Sequence, residues 1–325
     1  MKVLVIGGAG YIGSHTVKAL QNAGHSVIVF DNLSAGHHEG SEHRHEAHIV
    51  KGDIRNRKDL DEIFSGKNFD AVMHFAAKIE VKESMIDPGL FYENNVLGSI
   101  NILEAMRKHE VKIIIFSSTA AVYGLPEEVP ITEETKLSPI NTYGDSKLMV
   151  EKIIRDYHRS YGLNGVILRY FNAAGASTDG SIGERHDPES HLIPILIKKL
   201  LKNESATING NDYSTPDGTA IRDYVHVQDI AQAHVLALEY ADFEKAFNIF
   251  NIGTGTGYSI KQVVEALEKV TGKELKVEYG PRREGDPAQL VASSDKIQKT
   301  LGWEPQYSGL ETIIQTAYQW HKKHQ

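Results

Sequence analysis

Val3-Leu4-Val5-Ile6-Gly7-Gly8-Ala9-Gly10-Tyr11-Ile12-Gly13 stands near the start of the chain, and its reading decides the fold. Four uninterrupted apolar residues predict a buried strand, and an amphipathic stretch from Ile12 to Asn22 predicts a helix. Between them glycines fall at 7, 10 and 13. Gly7 permits the tight turn, Gly10 lets backbone approach a pyrophosphate, and Gly13 lets the helix pack close to the strand. Free N–H groups and the positive dipole end at the helix start, around Tyr11 and Ile12, suit an anion. A glycine triplet alone is weak evidence. Here Asp31 ends the next strand, Val27 to Phe30, about 20 residues on, where a carboxylate binds ribose hydroxyls. An acid there repels a 2′-phosphate, and the first arginine after it is Arg44, so NAD is expected rather than NADP.

Outward from this unit, short β-branched runs alternate with helical patterns. Ala47–Val50, Ala71–His74, Ile113–Phe116 and Gly165–Leu168 read as strands; Asp59–Phe64, Asn94–His109 and Thr142–Tyr161 read as helices. Such alternation predicts an α/β fold, a doubly wound parallel sheet of Rossmann type. After Asn172 the rhythm changes. Ala173–Glu189 reads as a long loop, followed by helices at Ile193–Lys202, Gln228–Tyr240, Ile260–Thr271 and from Leu310. The expected organisation is an NAD-binding domain over 1–171 and a second, smaller α/β substrate domain over 172–325. Segments near 225–250 are expected to pack back on the first domain, with a cleft between the two.

A net charge of −8 argues against a nucleic-acid partner. No cysteine is present, which excludes disulfides and thiolate metal sites and fits a cytoplasmic location. The opening apolar run is too short for a signal peptide or a membrane span, so no membrane partner is expected. Histidines at 37, 38, 43, 45 and 48 carry no helical i, i+4 pair. They read as a solvated loop, and no metal site is expected.

Tyr143-Gly144-Asp145-Ser146-Lys147 opens a helical stretch, with Pro139 and Asn141 as turn signals before it. Residues four apart share a helical face, so phenol and ammonium point the same way. A nearby ammonium and a positive nicotinamide ring favour the phenolate, making Tyr143 a general base for a sugar hydroxyl. Thr119 lies at the C-terminal end of a predicted strand, where ligands of doubly wound sheets sit, and its hydroxyl can reach substrate. Asp53 and Ile54, just after the third strand, are candidate adenine-edge contacts.

The segments GGAGYIGSHT, FDNLS, GDIRN, HFAA, FSSTAAVYG, YGDSK, LRYFNAAGA, DGTAIRDYVHV, NIGTG and RREGDPAQL together resemble the extended short-chain dehydrogenase/reductase family, and within it the UDP-glucose 4-epimerases. The resemblance runs from residue 7 to residue 290 in matching order. It implies that Tyr143 takes the O4 proton while NAD takes the C4 hydride, giving a 4-keto sugar that turns over before the hydride returns. Thr119 stands where the family has Ser or Thr, and Lys147 would position the nicotinamide ribose. Asn32, Phe75, Ala76, Ala77, Asn94 and Phe171 match further cofactor-lining positions. On the UDP-hexose side the matching residues are Asn172, His191, Leu192, Arg222, Arg283 and Asp286, with Leu290 at the position that sets sugar-pocket width. His191 and Ile79 depart from what some members carry, Asn and Lys respectively. A homodimer is a further implication, with the helices at Asn94–His109 and Thr142–Tyr161 as the candidate face.

Three readings follow. The first is a 4-epimerase interconverting UDP-glucose and UDP-galactose in galactose metabolism, with UDP-N-acetylglucosamine or UDP-glucuronate as alternative substrates. A nucleotide-sugar dehydratase of the same fold would carry an Asp-Glu pair after Thr119. Ala120-Ala121 stands there, which removes the acid and base that expel water. A non-catalytic NAD-binding regulator would have no need of Tyr143, Lys147 and Thr119 together.

Overall fold

The computed structural model describes residues 1–34, 47–186, 188–244, 246–283 and 285–324. Its strands are β1 (Lys2–Ile6), β2 (Ser26–Asp31), β3 (His48–Lys51), β4 (Ala71–His74), β5 (Ile113–Thr119), β6 (Asn164–Tyr170), β7 (Asn172–Ala174), β8 (Ala206–Asn209), β9 (Ile221–His226), β10 (Phe247–Ile252), β11 (Gly257–Ser259), β12 (Val277–Gly280) and β13 (Gln289–Leu290). The helices are α1 (Tyr11–Asn22), α2 (Arg57–Phe64), α3 (Val81–Ile86), α4 (Pro88–Phe91), α5 (Gly98–Lys108), α6 (Thr142–Tyr161), α7 (Leu192–Lys202), α8 (Val227–Glu244), α9 (Ile260–Thr271), α10 (Asp295–Leu301) and α11 (Leu310–Lys323).

The chain divides into two compact units. One comprises Met1–Gly124, Leu137–Arg169 and Ala231–Phe250; the other comprises Leu125–Lys136, Tyr170–Ile230 and Asn251–Gln325. Residues 125–136 belong to the second unit because Ile131 bridges to Ala292 and its carbonyl accepts from the Asn251 side chain. Residues 231–250 belong to the first.

In the first unit, seven strands form one sheet in the order β10-β6-β5-β4-β1-β2-β3. The pairs β1–β2, β1–β4, β2–β3 and β4–β5 are all parallel. Val3 to Ile6 are wholly buried, as expected of a central strand covered on both faces. Leu4, Ile6, Phe30, Val72, Ile114, Phe116 and Ile167 pack with Leu103 and Met106 of α5 and Ile154 of α6. Each such burial contributes about 1.5–3 kcal/mol. Strand order reverses between β1 and β4, so the space beyond their C-terminal ends is the place for a ligand.

The expected helix at Asn94–His109 is two elements. A π-helical turn over Tyr92–Leu97 leads into α5. Buried Asn94 and Asn95 sit in that wider turn, and the Asn95 carboxamide holds both the N–H and the carbonyl of Lys78. Wider turns of this kind are frequent at functional sites.

In the second unit β9 is central. β7 and β13 run parallel to it and β11 antiparallel, while β8 and β12 form a separate parallel pair. The expected long loop at 173–189 thus begins as a strand, β7. Leu196, Ile197 and Leu200 of α7, Val263 and Leu267 of α9, and Ile313 and Ile314 of α11 form the core beneath. Among the described residues, no helix is long and apolar enough to cross a membrane.

Candidate functional site

The glycine turn follows β1 directly. Gly7 has φ +81°, and a Cβ there would lie 2.4 Å from the backbone nitrogen of Ala76. A Cβ at Gly13 would lie 2.3 Å from the Gly7 carbonyl oxygen. Both positions therefore require glycine. Gly10 is the N-cap of α1 and offers no side-chain hydrogen bond, and the first turn, with Tyr11 and Ile12, carries no acidic residue. That helix start keeps N–H groups and positive dipole for an anion. Asp31 ends β2; its carboxylate accepts from Ala9 N–H at 3.0 Å and Leu33 N–H at 2.8 Å. Burial raises its pKa, and the two backbone hydrogen bonds oppose that rise.

Asn32 donates to Asp53 at 3.1 Å, and Asp53 is further clasped by Arg55 at 2.7 and 3.0 Å. The Arg55 hydrogen bond chiefly holds the Asp53 carboxyl well below its usual range. Ile54 is 5% exposed and packs on Gly98, so its side chain belongs to the core, and its carbonyl accepts from the buried Asn101 amide at 3.1 Å. Phe75 and Ala76 both donate backbone N–H to the Ile6 carbonyl, with Ala77 following, and the Phe75 ring lies 4.7 Å from that of His234. The expected histidine loop at 37, 38, 43 and 45 lies outside the described residues, as does Arg44; His48 lies on β3.

Asn141 caps α6, accepting from Gly144 N–H at 2.8 Å, and so places Tyr143 in the first turn. Thr119 ends β5, and its hydroxyl oxygen accepts from Ala121 N–H at 3.2 Å. Burial pushes Tyr143 up to about 12, and the hydrogen bond from Thr119 opposes that rise. Lys147 is 3% exposed; its ammonium donates to the Ser117 carbonyl at 2.9 Å and lies 4.9 Å from the Phe116 ring. Burial pushes it down to about 7, against the attraction of Glu151. Burial thus outweighs the Thr119 hydrogen bond at the phenol, and the expected phenolate draws on Lys147 together with a positive nicotinamide ring.

Sequence reasoning missed the support beneath this pair. Glu151 lies one helical turn beyond Lys147 and is 3% exposed. It accepts from Arg169 at 2.9 and 2.5 Å and from the Ser118 hydroxyl at 2.5 Å. Arg169 also donates to the Tyr123 hydroxyl at 2.9 Å. The spacing Tyr143, Lys147, Glu151 at i, i+4, i+8 was the available signal. Asn94 donates to Asn95, which donates to Ser146 at 3.0 Å, tying the π-helical turn to α6.

In the second unit, Phe171 is buried, and its N–H donates to the Ile252 carbonyl at 3.2 Å. Asn172 opens β7 and donates to the Asp223 carbonyl at 3.1 Å. Arg222 on β9 is in register with Leu290 on β13. Its guanidinium meets Asp286 at 2.5 Å, and Asp286 also accepts from the Tyr213 hydroxyl at 3.2 Å. Arg283 is exposed; with the Asn209 amide turned to present its oxygen, it donates twice to Asn209 at 3.0 and 3.1 Å. The structure thus brings Arg222, Asp286 and Leu290 together, and sets Arg283 in the loop after β12, against Asn209 at the end of β8. His191 is the N-cap residue of α7, which Leu192 begins. Its imidazole turns to Glu184, where Glu184, His186, Glu189 and His191 converge. The spacing Glu-x-His-x-x-Glu-x-His could have found this group; attention to histidine pairs at helical spacing passed over it.

Comparison with known proteins gives a consistent result. The profile of the NAD dependent epimerase/dehydratase family matches residues 3–253. The chain is 50% identical over 325 residues to the UDP-glucose 4-epimerase of Halalkalibacterium halodurans, covering 100% of this chain and 96% of that one. Among solved structures, the UDP-glucose 4-epimerase from Brucella ovis in complex with NAD superposes with a TM-score of 0.94 at 44% identity, covering 98% and 97% of the two chains. The enzyme from Bifidobacterium longum in complex with NAD+ and UDP gives 0.94 at 38% identity, covering 99% and 98%.

Proposed function

Because the chain belongs to the NAD-dependent epimerase/dehydratase family, we propose that it is a UDP-glucose 4-epimerase, an isomerase interconverting UDP-glucose and UDP-galactose with NAD. The observation that carries this reading is full-length identity to such enzymes together with Tyr143, Thr119 and Lys147 at the strand ends of a doubly wound sheet. The residues fit NAD: the α1 start has no side-chain cap, and Asp31 closes β2 beside it. Gly7, Gly10 and Gly13 would lie along the pyrophosphate, Asp31 and Asn32 at the ribose, and Asp53 and Ile54 near the adenine. Phe75, Ala76, Ala77, Asn94 and Phe171 would line the rest. Bound NAD supplies the hydride acceptor and, when oxidised, the positive charge that favours a phenolate.

Tyr143 removes the proton from O4 and returns it once the sugar has turned over. Thr119 donates to the phenolic oxygen and so steadies its charged form. Lys147, fixed on the Ser117 carbonyl, orients the ribose beside the phenol. Arg222 and Arg283 hold phosphate oxygens, Asp286 and Asn172 hold the nucleotide, His191 and Leu192 border it, and Leu290 limits the pocket at the sugar. Ala120, buried directly after Thr119, leaves no carboxylate for dehydration. Turnover of UDP-galactose by the purified protein without added NAD tests the assignment; NAD retained with no turnover of any UDP-hexose would sink it.

The finer expectations belong here too. Tyr92, Leu97 and Met149 are 37%, 43% and 42% exposed along the π-helical turn and α6, which supports a homodimer through these helices. Sedimentation equilibrium checks it, a monomer at micromolar concentration being the contrary result. A cytoplasmic place in galactose metabolism accords with a chain free of cysteine.

A further inference from the structure

Between β7 and α7, the second unit gathers a mixed donor set of which only His191 also enters the proposed nucleotide site. The candidate ligand atoms of Glu184, His186, Glu189 and His191 all lie within 4.8 Å of one another. Glu184 is 3% exposed. Its Oε1 stands 2.5 Å from His191 Nδ1 and 3.2 Å from His186 Nδ1. Yet Glu184 Oε1 and His186 Nδ1 are buried and make no hydrogen bond of proper geometry among the described residues. A buried carboxylate oxygen without a hydrogen bond is costly, by about 1–3 kcal/mol or more. Both imidazoles also present the same nitrogen, Nδ1, and both Nδ1 atoms lie 3.8 Å from Glu189 Oε1.

We propose that Glu184, His186, Glu189 and His191 bind one divalent transition-metal ion, with Zn²⁺ as the best match. Two imidazole nitrogens and two carboxylate oxygens suit zinc, whereas calcium and magnesium favour oxygen alone. Bonds of about 2.0–2.1 Å in a tetrahedron imply ligand–ligand edges of about 3.3 Å. The four N···O separations of 2.5, 3.2, 3.8 and 3.8 Å straddle that value. The outer groups are also in place. Lys198 takes the other oxygen of Glu189 at 3.0 Å, and the N–H groups of Ser190 and His191 orient Oε1 at 3.1 and 3.2 Å. Such contacts fix ligand direction around metal sites. The ion is structural: it ties Glu184 and His186 to Glu189 and His191 and so anchors the start of α7. Two bound protons, one on each imidazole, are the competing way to neutralise the carboxylates.

The test uses full-length protein, stripped with a chelator and titrated with Zn²⁺ by calorimetry, with metal content read by mass spectrometry. One equivalent of Zn²⁺ per chain, bound with submicromolar Kd, is expected. Glu184→Gln and His186→Gln should each weaken binding at least about a hundredfold. A variant with His37, His38, His43 and His45 all changed to Gln should keep it. Binding weaker than about 100 μM in the parent, or equal in Glu184→Gln, would overturn the proposal. So would loss of binding with the loop histidines and its retention without Glu184. Should the single variants misfold, Co²⁺ in the parent protein decides: intense visible bands of a four-coordinate ion support the site, and weak six-coordinate bands overturn it.

Discussion

In the first unit the ammonium of Lys147 is buried on a backbone carbonyl and an aromatic face, with Glu151 turned to Arg169 instead. In the second, the guanidinium of Arg222 is closed directly onto Asp286, at a site where the acid keeps 30% of its side-chain surface. One region withholds the counter-ion from its cation, and the other supplies it directly. The contrast follows from task. A cation that orients a ribose beside the proton-moving phenol needs a fixed direction, which the Ser117 carbonyl gives, and a group that binds a permanent anion only needs its charge kept and its fork oriented.

Several substitutions would break or sharpen this contrast. The largest effect is expected for Tyr143→Phe, which should lower kcat roughly 10³- to 10⁴-fold while NAD content stays full. Retained kcat would move the base elsewhere. Next, Glu151→Ala leaves Arg169 buried without its partner and should cost about 3–5 kcal/mol in urea unfolding. Asp286→Asn, at the more exposed pair, should cost under about 1 kcal/mol; equal losses would erase the distinction between the two regions. Arg222→Met should raise KM for UDP-galactose about ten- to hundredfold, with kcat changed less than about threefold. A fall confined to kcat would place Arg222 at the reacting sugar instead.

The pH dependence of stability sharpens the first half of the comparison. Lys147 sits at about 7 in the fold and at 10.5 as a free side chain, so between these values the unfolded chain binds the extra proton. Stability of the parent relative to Lys147→Met should therefore rise from pH 7 towards pH 10. The difference between the two unfolding curves reads it, and a flat difference would mean the ammonium is not shifted. The smallest effect concerns Leu290→Tyr, expected to depress turnover of UDP-N-acetylgalactosamine and leave UDP-galactose within about twofold. Equal loss on both would remove Leu290 as the limit on pocket width.

Much of the fold and of the site is legible in the amino-acid sequence. The glycine turn, the strand rhythm and Tyr143 with Lys147 are local patterns, and periodicity encodes local patterns directly. Helix α6 and helix α9 span Thr142–Tyr161 and Ile260–Thr271, as read from the sequence, and the structure caps them with Asn141 and Gly162 and with Ser259 and Gly272. The rest depends on distant partners. Arg169 meets Glu151 only after β6 is laid beside β5, and Arg222 meets Asp286 only after β13 joins β9. The affiliation of 125–136 rests on the Ile131–Ala292 bridge and on contacts of Ile131 and Glu133 with Asn251, all far along the chain. The strands β7, β11 and β13 span three residues or fewer, too short for an alternating pattern to register.

The position of β10 has a practical consequence. It flanks β6 at the margin of the seven-stranded sheet, although the segment Tyr170–Ile230 of the other unit intervenes along the chain. A gene fragment ending at residue 171 would bare the hydrogen-bonding side of β6, Val166 to Leu168 being wholly buried in the intact chain. Such an unprotected apolar margin invites pairing between copies. Dissecting this enzyme into a free-standing cofactor module would therefore call for a graft that carries α8 and β10 across, not a truncation.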